Sequence, residues 1–496
     1  MKAKTFPFLL LLLLIFIILW IRLFYLQIIK GANNKVLADN NRIKIIKIPA
    51  LRGVLYDRNN QVLARNRPEG REYVNGSALA HVLGYLAQAS RQDIENNDQY
   101  QAGNLIGKMG IEQHYDQVLR GIDGGLLVEE DALGQVIRQV AQKQPIAGDS
   151  LNLTLDSLLQ QKAFTSLKQR KGAVVASNPK TGEILVLLSS PSFDPNVFTL
   201  TKDNQEKIKS VFASPDQPMF NRAIAGLYPP ASTFKIITAI AGLEEQSINS
   251  STLVEDTGEI RIGQFVFGNW YFNQYGKTEG MVDIIKAIKR SNDIFFYKTG
   301  EWLGITKLSN WAKYFGLGSV LGIDISGEAE GLIPSPEWKK QQKLESWYLG
   351  DTYITAIGQG DLQLTPLQVN HLTSIIASDG KSCTPYLIKK DSSDQLCQEL
   401  DISKSNILLV KEGMKQACQE GGTGWPFFNF TPLVGCKTGT AEYGDPQDKT
   451  HAWFTVFAPW DDPEIVVTVL LEGAGEGSYE AAPVAKEILA SWFSSK

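Results

Sequence analysis

From Phe6 to Tyr25 the chain reads FPFLLLLLLIFIILWIRLFY, an apolar run interrupted only by Arg22. At 1.5 Å rise per residue, about twenty helical residues cross a ~30 Å hydrocarbon core. The run is longer than the apolar part of a cleavable export signal, and no small-residue cleavage site follows it. An uncleaved, single-pass anchor is therefore expected over residues 5–26, with residues 1–4 as a cytoplasmic tail. Trp20 and Tyr25 suit the far interface, where aromatic rings prefer to lie. Lys2 and Lys4 precede the span, whereas Arg22, Lys30 and Lys35 follow it. Counting positive charges alone would keep the bulk of the chain inside, but large domains cross a membrane largely regardless of such charges.

The remainder has ordinary globular composition, with 43% hydrophobic and 21% charged residues over 496 positions, enough for two or three domains. Its 49 Lys+Arg against 53 Asp+Glu leave a net charge of −4. No excess of positive charge exists to release phosphate counterions, so a dedicated nucleic-acid binder is excluded. Glycine and proline follow no short period, and no internal repeat is visible. Four cysteines, Cys383, Cys397, Cys418 and Cys436, make no C-x-x-C pair and no disulfide framework. Four histidines lie far apart and form no H-E-x-x-H, so neither a metal nor a cofactor is expected.

A helical extension is expected from Leu26 to about Asn40. The stretch RIKIIKIPALRGVLYDRNNQVLARN alternates as strands around an Asn59-Asn60 turn, a hairpin pattern. LLVEEDALGQVIRQVA reads as strand, Asp-Ala-Leu-Gly turn, strand, and IEQHYDQVLRG as helix. Near Asn152 a larger C-terminal domain begins. It opens with GAVVASNPKTGEILVLLSS, two β-rich runs joined by a turn, and continues through the helical ASTFKIITAIAGLEE. Three strand candidates, PLVGCKTGTAE, HAWFTVFAPW and EIVVTVLLEG, precede a closing helix, AAPVAKEILASWF. This order predicts an α+β domain with one antiparallel sheet covered by helices.

Without a metal signature, a nucleophile needs another base. In Ser232-Thr233-Phe234-Lys235 a serine and a lysine lie one helical turn apart, on one face. Ser232 also falls in the first turn, where free N–H groups favour developing negative charge. The lysine can act as base only if its pKa falls, through burial or a nearby cation. Ser177-x-x-Lys180 and Ser378-x-x-Lys381 match the same pattern, but both read as turns. Of three Lys-Thr-Gly matches, Lys180-Thr181-Gly182 belongs to a turn and Lys298-Thr299-Gly300 to the end of a helix. Only Lys437-Thr438-Gly439-Thr440 sits in a strand with apolar flanks, where a glycine marks close approach of another backbone. Singly, each motif is ordinary. In order they form a set: Ser232/Lys235 opening an apolar helix, Ser291-Asn292-Asp293 about sixty residues later, and the Lys437 strand about 145 beyond that.

That ordered trio is the one shared by penicillin-binding proteins and class A β-lactamases. Here the chain resembles the class B penicillin-binding proteins, the monofunctional peptidoglycan D,D-transpeptidases. RGVLYDR at 52–58 looks like the family's signature after its anchor, and GKMGIEQHYDQVLRG like its pedestal region. GAVVASNPKTGEILVLLSSPSFDPN, Gly358-Gln359-Gly360 with LQLTPLQ, and HAWFTVFAP resemble segments of its transpeptidase domain. The resemblance implies a pedestal, similar to the family's dimerisation domain, over residues 27–151, and a transpeptidase domain over 152–496. Two departures stand out. Asp293 replaces the usual Asn of the middle motif, which is most similar to elongation-type members that work with a cell-shape glycosyltransferase. Only about fifteen residues separate Asn66 from His81, where relatives carry a longer head segment. Some elongation-type relatives hold zinc between the first two motifs; with no His or Cys between Ser232 and Ser291, no such site is expected.

Residue by residue, the resemblance implies acyl transfer. Ser232 attacks the carbonyl of the donor stem peptide's penultimate D-Ala, with Lys235 as base, and Ser291 relays a proton to the leaving D-Ala. Asp293 holds the substrate backbone. Lys437 adds positive potential that keeps Lys235 partly neutral. Thr438, Gly439 and Thr440 bind the terminal carboxylate or backbone, and the N–H groups of Ser232 and Thr440 make the oxyanion hole. Implied partners are peptidoglycan stem peptides, β-lactams as inhibitors and a membrane-embedded glycosyltransferase. The site then lies outside the cytoplasm, with the N-terminus inside. Cys436, in the lysine strand, reads as a buried free thiol, while an oxidising compartment permits a Cys383–Cys397 bridge. The rivals are a D,D-carboxypeptidase or β-lactamase on the same scaffold, with water replacing the acceptor amine, and a non-enzymatic β-lactam-binding scaffold.

Overall fold

The computed structural model describes residues 5–68, 70–131, 133–198, 204–391, 395–444, 447 and 449–494. The tail expected over residues 1–4 and Ala132 of the Asp-Ala-Leu-Gly turn lie outside them. The contacts divide the chain into two compact units, one within residues 1–53 and 117–149, the other within 54–116 and 150–496. The division groups Val54–Asp116 with the C-terminal part.

In the first unit the apolar run forms a helix, Thr5–Phe24, followed by a π-helical turn, Tyr25–Ile29, and a second helix, Gly31–Arg42. The span Phe6–Ile29 is long and apolar enough to cross a membrane. Ile43–Ile48 does not join the hairpin expected around Asn59-Asn60. It pairs antiparallel with Gly124–Glu130, which pairs in turn with Val136–Lys143. Its two lysines find acidic partners at the two ends of the neighbouring strand: Lys44 meets Glu130, and Lys47 meets Asp123 just before the strand begins. The hairpin itself is shorter and lies in the second unit. Leu55–Tyr56 pairs with Val62–Arg67, and the Asp57 carboxylate closes the turn by accepting from Asn59 N and Gln61 N, both at 2.8 Å.

The second unit is built on a five-stranded antiparallel sheet in the order Ile184–Ser190, Gly172–Ser177, Ile465–Leu471, Thr450–Ala458, Gly435–Glu442. Every residue of the two strands Gly172–Ser177 and Ile465–Leu471 is buried, as expected where helices cover both faces. Alternation sorts the side chains between two cores. Trp453, Phe457, Val466 and Leu470 face a layer containing Lys235–Glu244, Asp293–Leu303 and Pro366–Ala377. Phe454, Val456, Val467 and Val469 face Ser157–Leu167 and the closing helix Gly477–Ser494. The predicted α+β class and helix-covered antiparallel sheet are what the chain forms.

Of the cysteine readings, the permitted bridge forms and the free thiol does not. Cys383 and Cys397 sit opposite each other in a two-stranded ladder and are bridged. Cys436 is not a free thiol but is bonded to Cys418. Its strand lies against the C-terminal end of the helix Lys404–Ala417, where Cys418 is the cap residue, so the two thiols meet in the core. No local spacing rule connects residues on a strand and a helix end.

Candidate active site

Ser232 lies in a short 3₁₀ turn, Ala231–Phe234, that runs straight into the buried helix Lys235–Glu244. The turn is tight. Ala231 has φ +50° and donates its N–H to Gly358 O at 2.8 Å. Gly358 has φ +80°, and a Cβ there would stand 2.0 Å from Ala231 O, so only glycine fits. Thr233 Oγ1 donates to Pro230 O at 2.6 Å and closes the turn from within. On the other side a Cβ at Gly439 would meet Pro230 O and Thr233 Cγ2, each at 3.3 Å. The glycine of the lysine strand therefore marks the close approach of the serine segment.

The middle motif begins at the end of the helix Ile284–Arg290. Ser291 terminates that helix with φ +53°, a position that glycine usually fills, and this turns its hydroxyl inward. Asn292 caps the next helix, Asp293–Leu303, by accepting from Phe295 N at 2.9 Å.

These elements bring two fully buried lysines together. Lys235 Nζ donates to Asp293 Oδ1 at 2.6 Å, to Ser291 O at 2.8 Å and to Ser291 Oγ at 3.3 Å. Lys437 Nζ donates to the same Ser291 Oγ at 2.8 Å and to Thr438 O at 3.1 Å. Ser291 Oγ is thus the bridge between the two amines. Burial lowers the pKa of Lys235, while the Asp293 carboxylate opposes the shift. Lys437 falls well below the usual lysine range, because it is buried and the Lys235 charge repels a second proton. Burial thus favours the neutral form of both amines, and the one carboxylate opposes this at Lys235.

Asp293 is engaged from both sides. Its Oδ1 takes Lys235 and its Oδ2 accepts from Trp270 N at 2.9 Å, so each oxygen already has one protein donor. Among the described residues, no hydrogen bond joins Ser232 to Lys235. Ser232, Ser291, Asp293, Thr438, Gly439 and Thr440 nonetheless line one cleft of about 540 Å³. Thr438 Oγ1 donates to Thr423 Oγ1 at 2.9 Å, and Thr440 O accepts from Gln359 Nε2 at 3.1 Å. Sequence reasoning missed Trp270, Thr423 and Gln359 as cleft residues. Gln359 was in view within Gly358-Gln359-Gly360, but nothing local marked the other two.

The competing matches fall elsewhere. Ser177 Oγ is bound to Asn370 Oδ1 in the core, and Lys180 pairs with Asp462. Ser378 Oγ donates to Lys381 O, while Lys381 Nζ donates to Lys180 O, both at 2.8 Å. Lys298-Thr299-Gly300 lies inside the helix Asp293–Leu303 rather than at its end.

Comparison with known proteins shows which family the chain is similar to. The family described as "Penicillin binding protein transpeptidase domain" matches residues 172–490, and "Penicillin-binding Protein dimerisation domain" matches 69–153. The peptidoglycan D,D-transpeptidase MrdA of Haemophilus influenzae is 36% identical over 452 residues, which cover 84% of this chain and 68% of that protein. A crystal structure of Pseudomonas aeruginosa PBP2 in complex with WCK 5153 superposes with TM-score 0.80 at 34% identity, covering 90% of this chain and 96% of that one. A structure described as "Structural coordination of polymerization and crosslinking by a peptidoglycan synthase complex" superposes with TM-score 0.83 at 26% identity, covering 100% and 99%. By the family model over residues 172–490 and the relative at 36% identity, the chain belongs to the penicillin-binding protein transpeptidase family.

Proposed function

We propose that this protein cross-links peptidoglycan stem peptides as a serine D,D-transpeptidase of the elongation type. The observation that carries the site assignment is the Ser291 hydroxyl held between Lys235 and Lys437, beside the Ser232 turn. Ser232 Oγ attacks the penultimate D-Ala carbonyl and its proton passes to neutral Lys235. The C–N bond then breaks. The leaving D-Ala takes a proton through Ser291, which draws on the lysine pair, and an ester to Ser232 remains. The amine of a second strand attacks that ester, loses its proton to the same pair and releases Ser232. The N–H groups of Ser232 and Thr440 serve as oxyanion donors, and Thr438 with Thr440 receives the donor carboxylate. Asp293 orients Lys235.

The helix Thr5–Phe24 anchors the protein in the cytoplasmic membrane, with the N-terminus inside and the cleft outside. Residues 27–151 act as the pedestal and 152–496 as the transpeptidase domain. The synthase complex found among the structural relatives supports a membrane-embedded glycosyltransferase as partner. β-Lactams acylate Ser232 in place of the stem peptide.

The test is fluorescent-penicillin labelling of membranes, with mapping of the acylated residue. Ser232→Ala is expected to lower labelling by about 10³-fold or more, whereas Ser177→Ala and Ser378→Ala keep it. Labelling that survives in Ser232→Ala refutes the assignment. Product analysis with stem peptide and an amine acceptor separates transfer from hydrolysis, since a carboxypeptidase would release only D-Ala and the shortened peptide.

A further inference from the structure

Asp256 lies 3% exposed, and among the described residues no cation pairs with it. Four N–H donors satisfy it instead. Its Oδ1 accepts from Gly258 N at 2.9 Å. Its Oδ2 accepts from Asn269 Nδ2 at 2.8 Å, from Glu279 N at 2.9 Å and from Asn292 Nδ2 at 2.9 Å. A buried charge with this many donors is stable, but replacing it leaves several of them unmet.

The two asparagines are the informative partners. A carboxylate can only accept, so it compels both amides to present their Nδ2 inward and their Oδ1 outward. The outward Asn269 Oδ1 accepts from Asp293 N at 3.2 Å, and the outward Asn292 Oδ1 accepts from Phe295 N at 2.9 Å. The same segment grips the Asp293 side chain, through Trp270 N to Oδ2 at 2.9 Å. Hydrogen bonds thus lead from Asp256 through Asn269 to the Asp293 backbone N–H, and the next residue, Trp270, holds the Asp293 carboxylate that meets Lys235.

We propose that Asp256 is a positioning residue for the base: by fixing the Asn269 and Asn292 amides, it holds the Asp293 carboxylate against Lys235 Nζ. The proposal rests on the reading of Lys235 as the base for Ser232. The ionisable groups facing Lys235 are Asp293, from the start of its helix, and Lys437, from the lysine strand; Ser291 supplies the remaining contacts. If Asp293 loosens, Lys235 loses the partner that favours its charged form, and its pKa falls.

The experiment is the rate of penicillin acylation against pH for the full-length protein, with the acylated residue mapped in each case. Asp256→Asn is expected to move the acidic limb to lower pH, in the same direction as Asp293→Asn. In the Asp293→Asn background Asp256→Asn is expected to add no further displacement. Asn269→Ala removes the middle link without changing any charge and is expected to move the limb in the same direction. It decides alone if Asp256→Asn does not fold. An equal displacement in both backgrounds would mean a through-space effect of the Asp256 charge and overturn the proposal. So would a lower melting temperature with an unmoved limb, which marks a purely structural residue. Acylation of the unsubstituted protein at a residue other than Ser232 would instead refute the underlying reading of the site.

Discussion

Asp293 has the clearest effect on how the site depends on pH. Its carboxylate favours protonated Lys235, against the burial that lowers the lysine's pKa. In the proposed mechanism Lys235 must be neutral to accept the Ser232 proton, so the acidic limb of acylation is expected to follow the Lys235 pKa. Asp293→Asn removes the charge that raises this pKa, and the acidic limb is expected at lower pH. An acylation-rate profile between about pH 5 and 9 checks this, and a limb that stays or rises contradicts it. The substitution also has a structural cost. An amide offers one oxygen to two donors, Lys235 Nζ and Trp270 N, so one donor loses its acceptor. That costs about 1–3 kcal/mol, to be read as a lower melting temperature. The unusual residue of the middle motif was visible in the sequence. Its partners were not, because Lys235 and Trp270 lie 58 and 23 positions away.

The elements around the cleft are held by close approach as much as by hydrogen bonds. Gly358→Ala would place a Cβ against Ala231 O and impose φ +80° on a side chain that disfavours it. Strain of this kind costs about 1–3 kcal/mol. Because Ala231 precedes the nucleophile directly, acylation is expected to fall along with stability; acylation at the unsubstituted rate would show that the turn tolerates displacement. On the opposite side, the Cys418–Cys436 bridge ties the lysine strand to the end of the helix Lys404–Ala417, the two cysteines being 18 positions apart. Closing a loop of that size stabilises a fold by about 3 kcal/mol. The pair Cys418→Ala with Cys436→Ala is expected to lower the free energy of unfolding by roughly that amount, measured by urea titration under non-reducing conditions. An unchanged midpoint would mean the two thiols are not bonded in solution. The strands and the serine helix could be read from alternation and from the Ser-x-x-Lys step, since both depend on residues a few positions apart. The disulfide, and the departure of Ile43–Ile48 to a ladder about eighty positions away, depend on which surfaces meet.

For the molecule as a whole, the anchor and the chemistry are separable. Deleting residues 1–30 is expected to move the protein from the membrane to the soluble fraction while penicillin labelling of Ser232 persists. In intact spheroplasts, protease added outside is expected to digest the full-length protein; complete protection would reverse the proposed topology. The apolar run declares its purpose by length and composition alone, because lipid selects for twenty apolar residues whatever the rest of the chain does. The order of Ser232, Ser291 and Lys437 likewise carried the family resemblance before any fold was in hand. Choosing among three Ser-x-x-Lys pairs is different in kind. Ser177 and Ser378 are equal to Ser232 in the linear pattern, and only the fold sets them apart, committing one to Asn370 and the other to a helix end. The same holds for the base. A lysine becomes one only where other elements close over it and remove water, so the buried Lys235–Ser291–Lys437 cluster is a property of three chain segments brought together, and no one of them contains it.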